Sequence, residues 1–276
     1  MSTGPRSAIL VATGLFVVWA GATWLLEGRI DTFLRPEAAA DRLIYIVVAN
    51  LIIGIAGAAF AIRFSVESNG ADRGDTGFGR GRPSATWIAI GLALGLGLYL
   101  VQGAPSYDPV VIINACAQVL AVSVAEVVVC WALVGRVLKR MFGAYGSRKV
   151  PHIGRSKWIG TIGATVVSSI LFGIYHFGHS APFNTVSMVA FLAFIGLWTS
   201  AFFFLSRDVY ATVAFHNFLG VFGVARALAA AGKLEGFSTL QVPLLVTAVV
   251  ALLALIGSDA LVVRRNQPTE VGHAAH

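Results

Sequence analysis

The chain has 276 residues, of which 57% are hydrophobic and only 12% charged, and its apolar runs reach about 20 residues, the length that crosses a bilayer. That composition excludes a soluble globular protein and leaves room for about eight spans joined by short loops. The formal charge of +7 does not mark a nucleic-acid partner, because the basic residues sit between the apolar runs, where they report topology.

The expected fold class is therefore all-α: a polytopic membrane helical bundle of about eight transmembrane helices, forming a single integral membrane domain over 1–276. No internal repeat of 20 to 50 residues is apparent. The first apolar run, Ser7 to Leu26, follows a short head with one arginine. Ala20-Gly21-Ala22 offers a small-residue cleavage pattern, so a span and a signal peptide both fit, although the run is longer than is usual for the latter. Glu27 to Arg42 reads as a mixed-charge loop, Leu43 to Ile62 as the second span, and the Gly- and Arg-rich stretch 63–84 as an exposed connection. The third span, Ala85 to Val101, carries Gly91 and Gly95 in a GxxxG pattern that lets a neighbouring helix approach closely.

The fourth span, Val110 to Val134, holds Asn114, Gln118 and Glu126, which at helical spacing share a face and should point into the bundle. Asn114 and Gln118 suit hydrogen bonding between helices. Glu126 is the single acidic residue of this run, and a carboxylate at mid-helix costs about 2.5 to 3.5 kcal/mol in a bilayer, which marks it as a functional candidate. Cys116 and Cys130 lie 14 residues apart in this helix, about 21 Å by helical rise, too far for a disulfide. Cys130 reads as a buried structural thiol, with no cation spaced to activate it.

The most basic segment follows: Arg136, Lys139, Arg140, Arg148, Lys149, Arg155 and Lys157, with no acidic residue among them. The positive-inside rule makes it cytoplasmic. With eight spans, 15 of the 20 Lys and Arg fall on that side together with both termini. Arg outnumbers Lys sixteen to four and Ala is abundant, which suggests a GC-rich bacterial genome; the expected location is the bacterial cytoplasmic membrane. Side-chain depth tests this topology. Glu126 lies about 15 Å above Arg136 and His216 about 13 Å above Arg207, but a helix running straight from Lys157 carries His176 to about 28 Å. We therefore expect residues 150–162, punctuated by Gly154, Gly160 and Gly163, to lie along the interface, with the span starting near Ala164 and His176 about 18 Å up. HFGHSAPFNT is then irregular backbone inside the membrane, tolerated only where it lines protein or a wet cavity.

His176, His179 and His216 fall in or beside these spans, where ionisable groups are functional candidates. FGIYH (Phe172 to His176), the apolar helix with Gly196 that follows, and SRDVYATVAFHN up to His216 resemble the second and third motifs of the CAAX-protease and bacteriocin-processing (CPBP, or Abi) family of intramembrane proteases. The resemblance covers roughly 115–224, within a catalytic core region at 110–224. It implies eight spans and an endopeptidase that hydrolyses a peptide bond of a membrane-associated protein. Peptide hydrolysis needs a base for water and a donor for the tetrahedral oxyanion. By resemblance Glu126 and His176 activate the water, and His216 donates to the oxyanion with Asn217 or a backbone N–H, while Phe172 and His179 border the substrate. Three positions depart from the family pattern: Val127 replaces the second Glu of a pair, Cys130 an Arg, and Gly220 an Asn four residues after His216. Asn217 is the nearby amide, about 100° round the helix from His216, and without the Arg either Glu126 is held less firmly or Arg136 or Arg226 is recruited instead. These departures keep open an alternative, a catalytically silent scaffold or immunity-type member of the same fold.

The leading reading requires no cofactor. A divalent metal such as zinc on Glu126, His176 and His216 also suits the donor types, although no HExxH pair is present; axial haem ligation by His176 and His216 is a further alternative. His152, His273 and His276 read as solvent-side bystanders. Phe194, Trp198 and the phenylalanines at 202–204 read as lipid-facing or core aromatics, or as the lining of a substrate groove. Expected partners are a membrane-associated protein or peptide substrate and the lipid bilayer, with no nucleic acid; prenylated CAAX substrates are not inferred.

Overall fold

The computed structural model describes residues 5–69, 75–79, 82–149 and 153–263, which contain no strand and eight helices long and apolar enough to cross a membrane. His152, His273 and His276 lie outside the described residues. Helix α1 covers Pro5–Thr23 and continues through a wider turn, Trp24–Gly28. Helix α2 spans 39–69, α3 Arg82–Val101, and α4 spans 109–149. The last four are α5 (Ile153–Tyr175), α6 (Val186–Ser206), α7 (Val209–Ala230) and α8 (Val242–Val263).

Local sequence sets several of the boundaries. Asp108 precedes Pro109 and accepts from the Val110 N–H, capping α4; Thr185 and Asp208 cap α6 and α7 by accepting from Met188 and Ala211. Arg207 adopts a left-handed conformation at φ 52°, ending α6 and letting α7 begin two residues later.

Helix α4 is the axis of the bundle. Its residues from Ser123 to Arg136 are all buried, as expected of a helix that is apolar all round. One end of the bundle holds Arg63, Arg136 and Lys139. There Arg136 donates to Ser65, Lys139 pairs with Asp75 at 3.6 Å, Ser84 bonds Asp208, and Arg63 reaches the Leu261 carbonyl. The other end is closed by Lys233 on the Leu34 carbonyl and by Asn114, which donates to Phe237 and Thr239 and accepts from Gln241 N–H. Asn114 thus ties α4 to the 231–241 connection rather than to another helix.

The break near Ala164 expected from sequence, between an interfacial segment over 150–162 and the span, is absent: Ile153–Tyr175 is one continuous helix, and α4 does not stop at Val134 but runs on to Lys149. Glu126 lies 23 residues before Lys149 and His176 23 residues after Ile153, so each sits about 35 Å along its arm. The two depths match once the hairpin is given its real length. Gly160 and Gly163 do not break α5; they let it touch α4. A Cβ at Gly160 would stand 2.6 Å from the Lys139 carbonyl oxygen, and one at Gly163 2.7 Å from the Phe142 ring. Further along, Trp131 meets Phe172, ring centroids 5.1 Å apart. The GxxxG of α3 works as expected: Gly91 and Gly95 abut the Ala211 and Phe215 carbonyls of α7. Both cysteines are free.

Candidate functional site

Glu126 ends the first α-helical part of α4, and the π-type turns of Val127–Gly135 follow it before the α-helix resumes, with the Arg136 N–H reaching the Trp131 carbonyl five residues back. Such widened turns recur at functional sites. The buried Glu126 carboxylate lies between two imidazoles. Its Oε2 is 2.9 Å from His216 Nε2 of α7, and its Oε1 is 3.5 Å from His176 Nε2 at the end of α5.

The far side of each ring is held as well. His176 Nδ1 is 2.8 Å from the Phe172 carbonyl, so Nδ1 carries a proton and Nε2 is presented to Glu126. His216 Nδ1 is 3.1 Å from Thr199 Oγ1, and that hydroxyl donates to the Ile195 carbonyl at 3.3 Å. The Thr199 hydroxyl thus holds the far side of the His216 ring, and Nε2 faces Glu126 Oε2. The Phe172 ring stands edge-on to both, at 4.6 Å from His176 and 5.3 Å from His216, and so fixes the gap between them.

A second carboxylate completes the site. The mixed-charge loop expected from Glu27 begins later than Glu27, since α1 continues through Gly28 and buries the Glu27 side chain. Glu27 Oε2 accepts from the Ser180 N–H at 2.8 Å and lies 3.3 Å from His179 Nδ1, and the Ser180 hydroxyl bonds the same carboxylate. This is how irregular backbone after His176 survives inside an apolar bundle: Glu27 satisfies the groups that the broken helix leaves open. The contact needs Gly28, where a Cβ would overlap the Gly178 carbonyl group, 2.8 Å from its carbon. The His179 ring stacks on His176 with centroids 5.0 Å apart, and its Nε2 is buried without a hydrogen-bond partner among the described residues.

These groups form the polar floor of a cavity of about 750 Å³ whose walls are apolar, among them Phe33, Phe183, Phe191, Ile195, Leu219 and Phe222. The cavity extends to Thr32, Gln102, Pro182 and Ala230, at the end of the bundle opposite the basic segment.

The structure thus brings together Glu126, Phe172, His176, His179 and His216. It leaves Asn217 out: the amide points at the Cys116 carbonyl, 3.4 Å away, and Asn217 does not line the cavity. At Gly220 a Cβ would stand 2.5 Å from Val119 Cγ1, so any larger side chain there requires Val119 to move. Neither Arg136 nor Arg226 serves Glu126. Arg136 is bonded to Ser65, and Arg226 lies over the Phe222 ring. The donors close enough together to hold a metal ion also differ from the expected set. Donor atoms of Glu126, His176 and His179, not His216, all lie within 4.8 Å of one another.

Glu27 and Thr199 are the residues that sequence reasoning missed. Each left a faint signal: Glu27 is a lone acid followed by glycine at the edge of an apolar run, and Thr199 is a polar residue in the middle of one. Fold and site together define a multi-pass helical membrane protein with a buried carboxylate–imidazole cluster at the base of an apolar cavity. Comparison with family models, with curated proteins and with solved structures finds no match to this chain.

Proposed function

We propose that this protein is an intramembrane endopeptidase of the CPBP type. The observation that carries the reading is the placement of Glu126 between His176 and His216 on the floor of an apolar cavity. A water seated between Glu126 Oε1 and His176 Nε2 is aimed at a carbonyl lying in the cavity. Glu126 takes its proton as the water attacks. The neutral carboxyl then releases His216 Nε2–H, which turns to the developing oxyanion. Glu126 returns the proton to the leaving nitrogen, so the carboxyl and both rings end as they began. Phe172 and Thr199 are positioning residues that keep the two imidazoles in register.

Access follows from charge. The positive-inside rule places the basic end of the bundle and both termini in the cytoplasm, so the cavity opens toward the outside of a bacterial cytoplasmic membrane. Its apolar walls on α6 and α7 suit an apolar segment presented from the outer half of the bilayer. The substrate class is therefore the outward-facing end of a membrane-associated protein, not a cytoplasmic lipidated tail. The Cys130 and Gly220 departures favour the second reading, a silent partner-binding protein.

The test compares protein termini in membranes from cells expressing wild type, Glu126→Ala and His176→Ala at matched abundance. New termini on outward-facing segments that vanish in both variants support the enzyme. Identical terminomes with an intact partner pull-down refute it and leave the binding reading.

A further inference from the structure

Three donors converge on the cavity floor, and each is pinned from behind. His176 presents Nε2 because Nδ1 donates to the Phe172 carbonyl at 2.8 Å. His179 presents Nε2 because Nδ1 faces Glu27 Oε2 at 3.3 Å. Glu126 presents Oε1 because Oε2 is engaged by His216 at 2.9 Å. The donor atoms of the three lie within 4.8 Å of one another, and the 3.5 Å from Glu126 Oε1 to His176 Nε2 is about the edge of a tetrahedron built on metal–ligand bonds of roughly 2.0 to 2.1 Å.

Two features are left unexplained by a network of hydrogen bonds alone. His179 is only 9% exposed, yet its Nε2 has no hydrogen-bond partner among the described residues, and an unmet buried nitrogen is costly. The core also holds two carboxylates, Glu27 and Glu126, whose ion pairs among the described residues are with histidines alone. A dication with neutral imidazoles balances both charges and gives His179 Nε2 its partner.

We propose that Glu126, His176 and His179 bind a divalent transition-metal ion of the zinc class, with Glu27, the Phe172 carbonyl and His216 as the outer partners that orient them. Two imidazoles and a carboxylate with a remaining position toward a cavity form the donor set of catalytic rather than structural sites. Outer carboxylate and carbonyl partners that fix the tautomer of each ligating imidazole are their usual accompaniment. The assignment makes His216 an orienting residue and not a ligand, and gives Glu27, outside the region of CPBP resemblance, a defined purpose. It rests on the endopeptidase reading and alters one step of it: with Glu126 Oε1 and His176 Nε2 engaged as ligands, a bound zinc ion would take over from the free carboxylate in acidifying the water and would polarise the carbonyl.

The test uses the full chain purified in detergent, stripped with chelator and reloaded with zinc, with metal per chain read by mass spectrometry and affinity by competition with a chromophoric chelator. Wild type should retain one zinc per chain. His176→Ala and His179→Ala should each bind at least about a hundredfold more weakly, and Glu27→Gln about tenfold to a hundredfold. Cys116→Ala should bind as wild type, which excludes thiol capture. Cobalt(II)-loaded wild type should show d–d absorption of nitrogen and oxygen ligation without a sulfur charge-transfer band, a readout that does not depend on any variant folding. Failure of wild type to retain zinc, cobalt, manganese or iron, a sulfur band, or undiminished binding in His179→Ala overturns the site. Glu126-dependent cleavage by metal-free protein sinks the metal site and keeps the endopeptidase; stoichiometric zinc without any cleavage does the reverse.

Discussion

Gly28→Ala adds one methyl group beside the 178–179 backbone and changes no polar group, yet it should disable the site. The new Cβ would stand 2.8 Å from the Gly178 carbonyl carbon and closer still to its oxygen, and both partners are backbone, so neither can rotate away. Restoring ordinary contact at about 3.4 Å or more requires the α1 end and the 176–180 turn to part by roughly 1 Å. The Ser180 N–H to Glu27 bond, now 2.8 Å, and the His179 to Glu27 contact, now 3.3 Å, would then stretch beyond hydrogen-bonding range. Overpacking costs about 1 to 3 kcal/mol, and leaving the buried Ser180 donor unmet about 1 to 3 more. A displacement of about 1 Å at catalytic groups costs on the order of a hundredfold in rate. Thermal unfolding in detergent and yield of cleaved termini measure the two effects, with Gly21→Ala as the control, since nothing lies within 4 Å of a Cβ there. If Gly28→Ala matches Gly21→Ala in both assays, the Glu27 clamp does not hold the site.

Thr199→Val keeps shape but removes the hydroxyl beneath His216; cleavage should fall about tenfold to a hundredfold with little change in unfolding temperature, and Thr199→Ser should restore it. Gly160→Ala drives a Cβ to 2.6 Å from the Lys139 carbonyl oxygen and should cost about 1 to 3 kcal/mol, whereas Gly97→Ala, with nothing within 4 Å, should be neutral; equal unfolding curves for the two would contradict the close approach of α4 and α5. In a background with Cys116 and Cys130 replaced by alanine, Ala230→Cys should react with a membrane-impermeant maleimide on intact cells and Arg207→Cys only after permeabilisation. The opposite pattern inverts the bundle and moves the cavity mouth to the cytoplasm.

Eight apolar segments could be read directly, because bilayer thickness imposes a length and composition that survive in any single sequence. Glu126 and the three histidines stood out for the same reason, as expensive groups in apolar surroundings. The true length of α4 did not. Arg136 and Lys139 look like the end of a span, but one is buried against Ser65 and the other reaches Asp75, partners about 70 residues away that no local pattern announces. Gly160 and Gly163 look like helix breakers until a neighbouring helix is there to use the space. Glu27 and Ser180 are separated by 153 residues, and their pairing comes from how α1 packs against the end of α5. Asn217 shows the converse: chemically suited and adjacent in sequence to His216, it is turned to the Cys116 carbonyl by the pitch of its helix.

The equal arms of α4 and α5 work as a pair of calipers. Losing one residue from either arm would slide its tip by about 1.5 Å and swing it through about 100°, taking Glu126 or His176 off the cavity floor. Adding residues between Lys149 and Ile153 changes the length of neither arm. Length changes should therefore be tolerated between the two arms and not within them, which makes that point in the chain, far from the chemistry, the natural place to insert an affinity tag or a fluorescent reporter.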